Sequence, residues 1–375
     1  MQGAGIGQKF VLGPSFYEGF HNFASTRWVY DIPFAKENHT DSIDEARAAI
    51  DHIGYDLEGL EIGNEVDLYV EQGSRPTGWG PQNYTTEFLE YADFLTGALG
   101  LPEGPIFQAL TLSSGAKADW STYQFTNTTT KLQETLMNHT FVTSGVDILR
   151  RDLDYMKASF PEIQVVLGEC GRYTDTQSSL DPSEGIFGSA LWTIDYLLYT
   201  MSLNVTRVNM QLSKVFGYVA WHPAAYDGLQ PEVRAPYYGH LFVGDFMNGS
   251  RDFRMSEIPS NDDLLAVYAG YEKNQLARVA IINYEVWNPS YGERPTREFT
   301  VKVPKGVLSA RISTLTSPGG ASSLEGFYWA GRTWTFANNG LGQIVQQEYI
   351  EVTAEHGDIQ VSVGATEAVL VTLYP

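Results

Sequence analysis

The chain has 375 residues, 43% hydrophobic and 13% aromatic, which is enough apolar material for a large folded domain and a smaller one and excludes a disordered chain. Its formal charge of -21 argues against nucleic-acid binding, because a polyanion would be repelled and no basic cluster offsets this; small molecules or neutral glycans fit better. One cysteine, Cys170, rules out an internal disulfide framework, and no stretch reaches the ~18 uninterrupted apolar residues of a membrane-spanning helix, so no membrane partner is expected.

The opening residues, Met1 to Lys9, lack the basic start and apolar run of a secretion signal. Against this, Asn38, Asn83, Asn127, Asn138, Asn204 and Asn248 all fit the N-glycosylation pattern, while Asn288 is blocked by Pro289. The expectation is a secreted, glycosylated type of protein whose beginning is missing.

Up to about residue 240, short apolar runs alternate with longer amphipathic stretches, the pattern of β/α units on a parallel sheet. Strands are predicted over 27–34, 57–64, 105–111, 120–125, 163–168 and 205–211. Between them, Ser42 and Glu45 form a capping box ahead of Ile43, Ala46, Ala49, Ile50 and Ile53 at helical spacing. Tyr84, Phe88, Tyr91 and Leu95 mark a second helix, and Val146, Leu149, Leu153 and Met156 a third that starts near Ser144 and ends before Pro161. The stretch 186–199 is apolar almost all round and reads as a buried helix. After about residue 255 the pattern becomes period-two alternation, with Phe299, Val301 and Val303 on one face and strands near 264–271, 276–284, 327–336, 359–363 and 369–374. This predicts a partial (β/α)8 catalytic domain over residues 1–245 and an antiparallel β-sandwich over 250–375.

Two of the predicted strands end in glutamate: Asn64 and Glu65 follow the second, and Glu169 follows the fifth. Singly, such a glutamate is more often a solvated charge or a helix cap than a catalyst. Jointly they favour catalysis, because each ends a strand too apolar to be exposed and the interval between them holds about three β/α units. In a parallel barrel both strand ends open on one face. Retaining glycoside hydrolysis needs a nucleophilic carboxylate and a second carboxyl as acid and then base, about 5–5.5 Å apart. Here Glu65 is the expected acid/base, Glu169 the expected nucleophile, and Asn64 a donor to a sugar 2-hydroxyl.

Other residues carry weaker signals. Cys170 has no histidine nearby in sequence and reads as a small buried residue rather than a nucleophile. Asp67 reads as a turn cap before a partner for Glu65. Tyr173, Trp221 and Tyr226 follow the last predicted barrel strands, where aromatics stack on a sugar ring as readily as they pack a core. No metal-ligand spacing or phosphate-binding loop occurs, so no metal or nucleotide cofactor is implied.

The segments 58–69, 166–169, 190–199, 220–226 and 236–239 together resemble the fungal branch of glycoside hydrolase family 79. The resemblance covers nearly the whole chain and implies a (β/α)8 barrel with a C-terminal β-sandwich. It also implies retaining β-glucuronidase activity on terminal glucuronic acid or its 4-O-methyl form, with Glu65 ending the fourth barrel strand and Glu169 the seventh. By this reading the 27–34 strand is the third, so the chain is expected to lack the first two barrel strands. Three positions depart from the family pattern: Tyr123 and Phe125 stand where a His-x-Tyr is usual, Gln211 near an expected histidine, and Val66 in place of a proline. A vestigial carbohydrate-binding relative, or a retaining β-glycosidase for a neutral sugar, therefore stays open beside the glucuronidase. Binding without turnover, or preference for a glucoside, distinguishes them.

Overall fold

The computed structural model describes residues 12–36, 38–101, 106–109, 111–112, 132–171, 185–212, 219–226, 228, 230–248 and 252–375. The chain forms two compact units, residues 1–125 and 126–375.

In the first unit a short helix α1 (Pro14–Glu18) precedes β1 (Trp28–Ile32), α2 (His39–Ile53), β2 (Leu57–Ile62), α3 (Pro81–Leu99) and β3 (Phe107–Gln108). The strands form a parallel sheet in the order β1-β2-β3. Ile32, Leu60 and Ile62 on one sheet face join Ala46, Ala49 and Ile53 of α2 and Tyr84, Tyr91 and Leu95 of α3 in a single core. This is the β/α grammar predicted from the alternation of short and long apolar patterns.

One detail of α2 differs from expectation. The helix starts four residues early, with the Asn38 side chain accepting from the Asp41 N–H as its cap. Ser42 lies inside the helix, fully buried, where its hydroxyl bonds the Pro33 carbonyl at 2.6 Å and the Tyr91 hydroxyl at 2.6 Å. The serine that read as a cap is a tie between helix and sheet.

The second unit contains α4 (His139–Asp147), α5 (Arg150–Ser159), β4 (Val166–Cys170), α6 (Phe187–Ser202), β5 (Arg207–Met210), the antiparallel pair β6 (Trp221–His222) and β7 (Glu232–Val233), and α7 (Ala235–Met247). The single helix predicted from Ser144 is two helices, because the chain breaks near Leu149. Strands β4 and β5 pair in parallel. Helix α6 is buried continuously from Phe187 to Thr200, as its all-round apolar pattern predicts.

The remaining strands are β8 (Arg254–Glu257), β9 (Leu265–Glu272), β10 (Gln275–Asn283), β11 (Thr296–Lys302), β12 (Ser309–Thr316), β13 (Tyr328–Trp329), β14 (Arg332–Thr333), β15 (Gln343–Ile344), β16 (Ile350–Thr353), β17 (Asp358–Gly364) and β18 (Glu367–Tyr374). Nine of them form one sheet in the order β15-β14-β13-β12-β18-β10-β9-β8, with β16 beside β12. The stretch 327–336, predicted as one strand, is the two short antiparallel strands β13 and β14. Strand alternation divides this sheet's residues between two cores. Ala280, Ile282, Tyr268 and Leu370 face α6 and α7. Val279, Ile281, Val369 and Val371 face the β11–β17 pair with Val361 and Val363.

Helices α4 and α6 are held to the sheet by a buried polar cluster as well. Asp195 accepts from the hydroxyls of Tyr268 and Tyr284, the latter at 2.9 Å, and pairs with His139 Nδ1 at 2.9 Å; His139 Nε2 reaches Glu257 at 3.1 Å. Burial works against protonated His139, but the two carboxylates outweigh it and raise its pKa to about 10. The 190–199 segment, part of the family resemblance, thus carries the buried Asp195 at the centre of this cluster.

Candidate active site

The turn after β2 presents Asn64 and Glu65, both half-buried, at the C-terminal end of that strand. Gly63 opens the turn at φ 82°, and a side chain there would press within 2.8 Å of Tyr69 Oη and 3.0 Å of Phe34 Cβ. Glu65 itself has φ 48° and ψ 47°, the left-handed region that costs a residue with a side chain about 1–2 kcal/mol. A non-glycine residue persists there only when its surroundings over-determine it, and such strain concentrates at functional sites. The following residues supply the restraint. The Leu68 N–H returns to the Glu65 carbonyl at 3.0 Å, the Val66 N–H bonds the Thr111 carbonyl at 3.3 Å, and Asp67 is buried. Arg75 anchors the rest of the loop. Its guanidinium bonds the carbonyl of Phe34 at 3.1 Å and Glu87 at 3.1 Å while lying over the rings of Phe34, Tyr69 and Trp79.

Beneath this turn, polar side chains from three strands meet on the sheet face opposite the helices. Asp31 of β1 is in register with Glu61 of β2, and Glu61 accepts from Gln108 Nε2 of β3. Asp31 opens to solvent. Desolvation among the surrounding residues, then the like charges of Glu61 and Glu45, push its carboxyl up to about 8, and a hydrogen bond from the Gly63 N–H opposes them. Sequence reasoning passed over this group, whose only signal was a charged residue inside each of two apolar strands.

In the second unit Glu169 lies near the end of β4 at a bulge. Leu167 pairs with Val208 and Cys170 with Met210, so Gly168 and Glu169 together oppose Asn209. Because Leu167, Cys170, Val208 and Met210 all pack on the main core, the bulge turns Glu169 to the other face, where it is exposed. Asn209 shares that face, a neighbour of Glu169 that the sequence reading missed. Cys170 is half-buried rather than buried, and desolvation still raises its thiol to about 11, which keeps it protonated at neutral pH.

Gln211 lies beside this bulge, its N–H donating to the Cys170 carbonyl at 2.6 Å. Trp221 is half-buried in β6 and Tyr226 is 40% exposed. Next to Trp221, His222 is buried; Arg234 Nη1 lies 3.0 Å from its Nε2, and burial followed by that cation lowers its pKa to about 4. The ring is therefore neutral, with Nε2 accepting from Arg234. The structure groups Asn64 with Glu65 in one unit and Glu169 with Gln211 in the other. Tyr123 and Tyr173 lie outside the described residues, as do the predicted strand 120–125 and Asn127. No cluster of metal-binding side chains occurs among the described residues, and no described helix is long and apolar enough to cross a membrane.

Comparison with known proteins supplies the context. The family model described as the glycosyl hydrolase family 79 C-terminal beta domain matches residues 267–370. A β-glucuronidase of Aspergillus niger is 27% identical over 87% of this chain and 68% of its own. A β-glucuronidase of Neurospora crassa is 23% identical over 95% of this chain and 76% of its own. Among solved structures, a 4-O-α-L-rhamnosyl-β-D-glucuronidase from Fusarium oxysporum 12S superposes with a TM-score of 0.75 at 19% identity, covering 96% of this chain and 79% of that one. The shared fold is a TIM-type barrel with a C-terminal β domain.

Proposed function

Because the chain belongs to glycoside hydrolase family 79, we propose that it removes terminal β-linked glucuronic acid, or its 4-O-methyl form, from glycans or glycosides with retention of configuration. The observation that carries this reading is that both curated fungal relatives are β-glucuronidases. Glu65 acts as acid and then base, and Glu169 attacks the anomeric carbon. The strained turn under Glu65 and the bulge under Glu169 support these roles, since each fixes a carboxylate near the C-terminal end of a parallel strand. In this reading β2 is the fourth barrel strand and β4 the seventh, the catalytic domain runs to residue 245, and the sandwich from 250. Asn64, Tyr123, Tyr173, Gln211, Trp221 and Tyr226 contact the sugar. The exposed sequon residues Asn38, Asn83, Asn204 and Asn248 support an extracellular setting.

The test is release of nitrophenol from nitrophenyl β-glucuronide. Glu169→Gln should reduce kcat by at least about a thousand-fold, because loss of a nucleophile removes the covalent step. Parental turnover by that variant would sink the assignment of Glu169, and preference for nitrophenyl glucoside would move the substrate to a neutral sugar.

A further inference from the structure

One buried residue brackets the Glu65 turn. Tyr69 touches the chain on both sides of it: its N–H donates to the carbonyl of Val66, which follows Glu65, at 3.2 Å, and its hydroxyl lies against Gly63, which opens the turn. Phe34 closes in on Gly63 as well, so the glycine rests against two rings. The left-handed conformation of Glu65 persists only while such neighbours stay in place.

Arg75 holds both rings. Its guanidinium carbon lies 5.1 Å from the centre of the Phe34 ring, 5.6 Å from that of Tyr69 and 5.4 Å from that of Trp79. The Arg75 N–H donates to the Tyr69 carbonyl at 3.1 Å, and the Ser74 N–H joins it at 2.7 Å, which closes the loop on Tyr69. The buried side chain then ties this loop to its neighbours. It reaches the exit of β1 through the carbonyls of Phe34 and Ala35, and α3 through Glu87, which also accepts from Trp79 Nε1 at 2.7 Å. A planar guanidinium can face aromatic rings and bridge several acceptors at once, which a compact ammonium does poorly.

We propose that Arg75 is a positioning residue for Glu65: by clamping Tyr69 and Phe34 it fixes the turn that aims the Glu65 carboxyl at the leaving-group oxygen. The proposal rests on the reading of Glu65 as the acid/base. Its chemistry is specific. A misaimed acid delays proton delivery to the departing oxygen and leaves sugar binding and nucleophilic attack in place. The defect therefore scales with how much the leaving group needs a proton, whereas general loosening of the fold lowers turnover of every substrate alike.

The experiment compares kcat/KM, which reports the glycosylation step, for phenyl and dinitrophenyl β-glucuronides with the full chain and with Arg75→Ala, Arg75→Lys and Glu65→Gln. Arg75→Ala should lose about ten- to a hundred-fold on the phenyl substrate and less than about three-fold on the dinitrophenyl substrate, whose aglycone leaves without protonation. Arg75→Lys keeps the cation but not the fork, so its loss on the phenyl substrate should be smaller, about three- to ten-fold, with the dinitrophenyl substrate again spared. Should Arg75→Ala melt below the assay temperature, Arg75→Lys carries the test. Equal losses on the two substrates, or parental kcat/KM on the phenyl substrate in the variant that carries the test, overturn the proposal. Glu65→Gln separates the two ideas. If it shows no leaving-group dependence, or if the parent turns over neither substrate, the reading of Glu65 as acid fails and the proposal with it. If Glu65→Gln shows that dependence and the Arg75 variants do not, only the positioning role fails.

Discussion

At the scale of single residues, Glu65 combines a carboxyl at a strand end with a backbone conformation that most side chains avoid. Asparagine tolerates the left-handed region better than glutamine, because its short amide bonds locally. Glu65→Asn and Glu65→Gln both remove the acid, so both should lose glucuronidase activity, yet they should differ in stability. We expect Glu65→Asn to unfold about 1 kcal/mol higher than Glu65→Gln in urea titration. Equal midpoints would mean that the turn carries no such strain. Asn209 and Asp31 show why other site residues were not legible in the sequence. Neither ends an apolar run, and each is brought to its glutamate by strand pairing, which a single sequence does not display.

At the scale of elements, the contact between α6 and the sheet depends on the anion at Asp195. Replacing it with asparagine leaves His139 with only Glu257 and weakens both tyrosine bonds. Asp195→Asn should cost on the order of 3 kcal/mol in urea unfolding. The same cluster sets a pH dependence. The folded pKa of His139, about 10, lies above its unfolded value of 6.5, so the contribution is complete below that value and is lost as pH rises through 10. Urea midpoints should therefore fall from about pH 6.5 to about pH 10 in the parent and less steeply in Asp195→Asn. A parallel fall in both would remove His139 from the account. Helices α6 and α7 meet through Gly239, where a Cβ would lie 2.7 Å from the Ala190 carbonyl oxygen and 2.8 Å from Thr193 Cβ. Gly239→Ala should destabilise by about 1–3 kcal/mol, read as a lower urea midpoint, since backbone rather than a movable side chain blocks it.

Helices α2, α3 and α6 and strands β1, β2, β9, β10 and β18 were legible because burial on one face, or all round, writes a period into the sequence. Strand β12 was not, although it pairs with β18, β13 and β16. Its Ser309–Thr316 holds only Ala310, Ile312 and Leu315 as apolar residues, and the step from Ile312 to Leu315 breaks the two-residue period, so the strand does not stand out. The break near Leu149 was hidden for the opposite reason, since α4 and α5 carry apolar positions that continue one helical period across it.

At the scale of the molecule, the charge of -21 is carried by a chain whose cores are strongly apolar. Net charge of that size favours solubility and neutral partners and says nothing of the fold. The central strands of the nine-stranded sheet have an occupied surface on each side, one against helices and one against β11 and β17. That leaves them no free face on which selection can act without disturbing packing. Room for substitution lies instead in turns and short edge strands, such as the stretch from Phe336 to Ile350, where Leu341 is 70% exposed and Ile344 60%. A mutational library aimed at changing what this domain touches belongs there; one aimed at β10 or β18 would return folding defects instead.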